Sequence, residues 1–107
     1  MAKVSKKERS MALYESVLEL KTLEECCAFF DDLCTVGELR AMEQRYDVAI
    51  LLEQGMVYTE ILEQTGASSA TISRVNRCLN YGSGYRMALD NLKKAGILED
   101  DGSELEE

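Results

Sequence analysis

GASSATISRVNR, residues 66–77, follows YTEILEQT, residues 58–65, and the two together read as a helix-turn-helix unit. Gly66 falls where a tight helix-to-helix turn needs a residue free of Cβ strain. Ser68 or Ser69 is suited to cap the second helix, since a hydroxyl there accepts from an orphan backbone N–H. Ile72, Val75 and Leu79 then recur at offsets of three and seven, the spacing of a buried stripe.

At about 100° per residue, the opposite face of that helix carries Ala70, Ser73, Arg74 and Arg77. A small, polar and basic face suits a DNA groove. Ser69, Thr71 and Ser73 offer hydroxyls to base edges, Ala70 or a Thr methyl can meet a thymine methyl, and Arg77 is placed for phosphate. With Thr59 at the start of the first helix and Ser68 at the turn, these residues form the expected contact set for double-stranded DNA. A solvated outer face in an ordinary bundle would show similar periodicity, so the turn glycine and the short first helix carry the distinction. Leu62 stands where such units usually place a small residue, which predicts a slightly opened helix crossing.

The 107 residues are 46% apolar and contain no proline, and strand-type alternation is hard to find, so the expected class is all-α. A net charge of −8 argues against nucleic acid until its distribution is read. Residues 1–10 are +3 and residues 66–97 are +4, the latter from Arg74, Arg77, Arg86, Lys93 and Lys94 against Asp90. The acid is concentrated in residues 11–65 and in six side chains from Glu99 onward. A locally basic reading head on an acidic body is compatible with salt-sensitive DNA binding.

Cys26, Cys27, Cys34 and Cys78 form no CxxC pair, and histidine is absent, so no metal site or cofactor is expected. Cys27 and Cys34, seven apart, read as small core residues on one face. Without a histidine base or paired carboxylates in an evident cleft, enzymatic chemistry is not expected. The N-terminus lacks the apolar run of a signal peptide, and no segment approaches the roughly 20 apolar residues of a membrane span. Reduced thiols and no membrane contact point to the cytoplasm.

Six helices can be drafted. The first runs from about Lys6 to Leu20, with Leu13, Val17 and Leu18 on one side. Thr22 with Glu25, and Thr35 with Glu38, read as capping boxes opening a second helix through Cys34 and a third to about Gln54, where Gly55 stops it. The third helix has a broad stripe of Leu39, Met42, Tyr46, Ala49 and Ile50. The helix-turn-helix occupies about 58–80, residues 81–84 form a loop, and a last helix reaches Ala95 with Tyr85, Ala88, Leu89 and Leu92 inward. The chain thus reads as one helical domain over 1–97 and a flexible acidic tail over 98–107.

The runs LCTVGELRAMEQRYDVAILLEQG and TGASSATISRVNRCL resemble the Trp repressor superfamily, most closely its YerC/YecD subgroup. The resemblance covers most of residues 11–95. It implies a six-helix subunit, an intertwined homodimer and operator binding through the second helix of the motif. It also places Arg45 and Arg74 where the repressor's two arginines enclose the corepressor indole. Two residues depart from that pattern: Val75 replaces a glycine that makes room for the ligand, and Cys78 replaces a serine that holds the ligand's amino group. Tryptophan is therefore not the expected effector. Arg45 is read instead as an ion-pair partner of Glu43, Asp47 or a carboxylate on another helix, and Arg74 as a phosphate contact.

The expected function is a sequence-specific, dimeric transcriptional regulator, most simply a repressor. Two alternatives stand beside it. One is a small-molecule-responsive repressor using Arg45 and Arg74. The other is a helical dimeric adaptor for another protein, whose binding would survive loss of Arg74 and Arg77.

Overall fold

The computed structural model describes residues 8–99, and among them there are six helices and no strand. The fold is all-α. These are α1 (Met11–Glu19), α2 (Leu23–Leu33), α3 (Val36–Glu53), α4 (Tyr58–Thr65), α5 (Ser69–Tyr81) and α6 (Gly84–Lys94). Residues 1–7 and 100–107 lie outside the description, and with them the expected helix start at Lys6 and nearly all of the expected flexible tail. Leu98, the first residue assigned to that tail, packs half-buried against the core.

The described chain divides into two compact units, one ending at Leu39 and the other beginning at Arg40. In the first unit the starts of α2 and α3 are fixed by local chemistry. Glu25 N–H donates to Thr22 Oγ1 at 3.0 Å, while the Glu25 carboxylate accepts from Lys21 N–H at 2.8 Å, one residue ahead of the cap. At Thr35 the box is reciprocal: Glu38 N–H donates to Thr35 Oγ1 at 3.1 Å and Thr35 N–H donates to Glu38 Oε1 at 2.9 Å. Both boxes satisfy first-turn donors that would otherwise have no partner.

Neither α1 nor α2 buries a residue. Leu18 is 79% exposed and Leu23 82%, and Leu13 is also exposed, so only Val17 of the expected α1 face is half-covered. Cys27 is exposed as well, which corrects its expected place beside Cys34 in a core; successive turns of α2 present Cys26, Phe29 and Phe30 on the more sheltered side. The Phe29 and Phe30 rings meet edge to face at 5.6 Å.

The second unit holds a true core of Val48, Ala49, Ile61, Ala67, Ile72, Val75, Leu79 and Leu89. Of the α3 stripe expected from spacing, only Ala49 is fully buried, and its neighbour Val48 joins it. Two cross-links fasten α6 to α3. Tyr46 and Tyr85 stack with centroids 6.1 Å apart, and burial, followed by the nearby Tyr85, raises the Tyr46 phenol above its usual pKa. Glu53 Oε2 accepts from both Arg86 Nη1 and Lys93 Nζ, each at 2.7 Å. The Arg86 hydrogen bond, helped by that of Lys93, holds the Glu53 carboxyl below its ordinary range despite its partial burial.

Candidate nucleic-acid interface

The turn between α4 and α5 is built as the sequence predicts. Gly66 adopts φ +74°, a left-handed conformation, and its N–H closes α4 on the Leu62 carbonyl at 2.9 Å. A Cβ at Gly66 would meet nothing within 4 Å, so the backbone angle rather than crowding requires glycine there. Ser68 is the N-cap of α5, its Oγ accepting from Thr71 N–H at 3.1 Å and its hydroxyl donating to Thr71 Oγ1 at 3.1 Å.

Ile72, Val75 and Leu79 are buried, and the helix rotates Ser69, Ala70, Ser73, Arg74 and Arg77 to the exposed side. Thr59, in the first turn of α4, is exposed too, whereas Thr71 is half-buried and engaged in the cap. Apart from Thr59 on α4, the expected contact residues are thus brought to one helix and the turn before it, with small side chains toward the α5 N-terminus and the arginines beyond. Its four leading N–H groups add a partial positive charge at that end, of which Ser68 takes one.

Several expectations need correction. Leu62, expected at the helix crossing, is 44% exposed, whereas Ile61, Ala67 and Ile72 are the buried residues from Ile61 to Ile72. The α5 helix extends through Tyr81 and α6 begins at Gly84, shortening the expected loop to two residues. Arg45 is half-buried, and among the described residues it forms no salt bridge with Glu43, Asp47 or any other carboxylate. The basic segment is also less basic than its sequence. Arg86 and Lys93 are committed to Glu53, and Arg86 Nη1 lies 3.8 Å from Asp90; Arg74, Arg77 and Lys94 are exposed.

An open groove of about 650 Å³ runs between α3 and the end of α4, lined by Arg40, Glu43, Gln44, Asp47 and Thr65 among others. Neither Arg45 nor Arg74 lines it, and Val75, at the position read as facing an indole, is buried in the core. Cys78 is half-buried. Among the described residues no group of three or more Cys, Asp or Glu is arranged to hold a metal ion, and no helix is long and apolar enough to cross a membrane.

The sequence matches the model of the Trp repressor protein family over residues 8–93. The chain belongs to the Trp repressor family. It is 57% identical over 83 residues to the uncharacterized protein YerC of Bacillus subtilis (strain 168), covering 77% of this chain and 80% of YerC. Among solved structures it is similar to a candidate Trp repressor from Staphylococcus aureus, with a TM-score of 0.74 and 47% identity, covering 80% of this chain and 90% of the other. It is also similar to a TrpR-like protein from Eubacterium eligens, with a TM-score of 0.76 and 43% identity, covering 90% and 100%. The family consists of DNA-binding regulators rather than enzymes.

Proposed function

We propose that this member of the Trp repressor family is a sequence-specific transcriptional regulator, acting as a repressor, that works as a homodimer in the cytoplasm and lays α5 in the major groove. The observation that carries this reading is the division of α5. Its three buried residues, Ile72, Val75 and Leu79, all belong to the core, while Ser69, Ala70, Ser73, Arg74 and Arg77 share an exposed face preceded by a tightly capped turn. Such a face has little packing role in its own subunit. It can approach a groove closely, read base edges through hydroxyls and a methyl, and meet phosphate through arginine.

Dimerisation is supported by the bare α1 and α2, whose exposed leucines need cover, and by the symmetry of paired half-sites. Tryptophan is not the effector in this reading. Val75 is fixed in the core where the repressor proper has glycine, and Cys78 is a poor substitute for a hydroxyl that binds an amino group.

The test is selection of bound duplexes from a random pool, followed by binding titrations at several salt concentrations. Arg77→Ala is expected to weaken binding to all duplexes alike and to lower the salt slope by about 1. Replacement of Ser73 or Ala70 should instead change which duplexes are selected, at about 1–3 kcal/mol per affected base pair. An unchanged selected set and an unchanged salt slope across these variants would remove the proposal.

A further inference from the structure

The reading helix must be held at a fixed angle to the body of the subunit, since recognition geometry tolerates errors of only about 0.5 Å. The α4 helix and the turn after it carry α5, and at the C-terminal end of α4 three bonds converge on Thr65. Its Oγ1 donates to the Ile61 carbonyl at 2.7 Å and accepts from Ala67 N–H at 3.1 Å. Its carbonyl, one of those left over at a helix end, accepts from Gln44 Nε2 at 3.1 Å. Gln44 lies on α3, 21 residues away in sequence, so this bond ties the turn to a helix outside the motif. Three residues beyond Thr65 stands Ser68, the cap of α5.

We propose that Gln44 is a positioning residue for DNA recognition: its amide fixes the Thr65–Ala67 turn to α3 and thereby sets the angle at which α5 meets the groove. Gln44 makes no claim on the DNA itself. The proposal rests on the reading of α5 as the recognition helix. Its chemistry is specific, because Thr65 O is an acceptor and only a side chain that donates from this point of α3 can serve. Glu43 and Asp47, its neighbours in the groove, are acceptors and cannot replace it. The bond is part-buried beside an open groove, where water competes for both partners, so its loss should loosen the turn rather than unfold the subunit.

The test compares the full chain with Gln44→Met, which keeps the length but not the donor, and Gln44→Lys, which keeps a donor. Two readouts are taken: amide hydrogen exchange at Ala67, and the ratio of affinity for a selected duplex to that for an unrelated one. Using the ratio cancels the general effect of the added lysine charge. In Gln44→Met, Ala67 exchange should rise about fivefold and the ratio should fall about fivefold, the equivalent of one modest hydrogen bond. Gln44→Lys should restore most of both, with the thermal midpoint little changed in either variant. Unchanged Ala67 exchange in Gln44→Met, a lysine variant that behaves like the methionine one, or faster exchange with an unaltered ratio would each overturn the proposal. A wild-type chain that binds no duplex would fail the DNA reading instead, and Ala67 exchange would then decide alone whether Gln44 holds the turn.

Discussion

The units on either side of residue 40 are both helical, yet they stand at opposite ends of self-sufficiency. The second contains all eight buried apolar residues among those described, two cross-links between α3 and α6, and a turn secured by five side-chain hydrogen bonds. The first has side-chain caps at the starts of α2 and α3 and, among the described residues, no buried one. Good caps determine where helices start; they do not supply a core. In a marginally stable domain, helices that bury nothing gain little from folding alone. The difference teaches that the first unit leaves its apolar side chains uncovered, whereas the second buries its own and carries the helix proposed to read DNA.

The largest test of this contrast is Ile61→Ala. Ile61 is fully buried in the second unit, and its truncation should cost about 2–5 kcal/mol, read by chemical denaturation. The same truncation at exposed Leu18 should leave that transition within about 0.5 kcal/mol at concentrations where the chain is monomeric. Equal losses at the two sites would abolish the contrast.

Next comes the proposed dimer. Replacing Leu18 and Leu23 together by serine should weaken self-association by about a hundredfold, since burying each leucine stabilises by about 1.5–3 kcal/mol and not all of that is recovered at an interface. Sedimentation at a series of concentrations would read this. Unaltered association would mean that the bare faces of α1 and α2 serve something else.

The smallest effect concerns Glu53. Its carboxyl has a lowered pKa in the folded chain, chiefly through Arg86 and then Lys93, so its contribution is present above the ordinary value of 4.5 and is lost as pH falls below it. Glu53 and Lys93 side chains are each 11% exposed but Arg86 is 40% exposed, and solvent screening limits the expected gain to about 1–2 kcal/mol. Glu53→Gln should lower stability by that amount at neutral pH and flatten its decline between about pH 5 and 3. A parallel decline in both proteins would show that other carboxylates control acid unfolding.

The sequence by itself determined the helical class, the two capping boxes, the left-handed turn at Gly66, the Ser68 cap and the buried stripe of α5. Each is a relation among residues three to seven positions apart, where helix periodicity and backbone hydrogen bonding fix the outcome. It also pointed to Arg45 and Arg74 by resemblance, and to a basic segment by counting charge. Only the tertiary structure decided what those charges do. Arg86 and Lys93 reach Glu53 across 33 and 40 residues, which withdraws them from the exposed basic face, and Gln44 reaches Thr65 across 21. Leu62 turned outward and Val48 inward for the same reason. Which side of a broad apolar helix is covered, and which cation finds a carboxylate, depends on how helices distant in sequence cross, and no local spacing encodes that crossing.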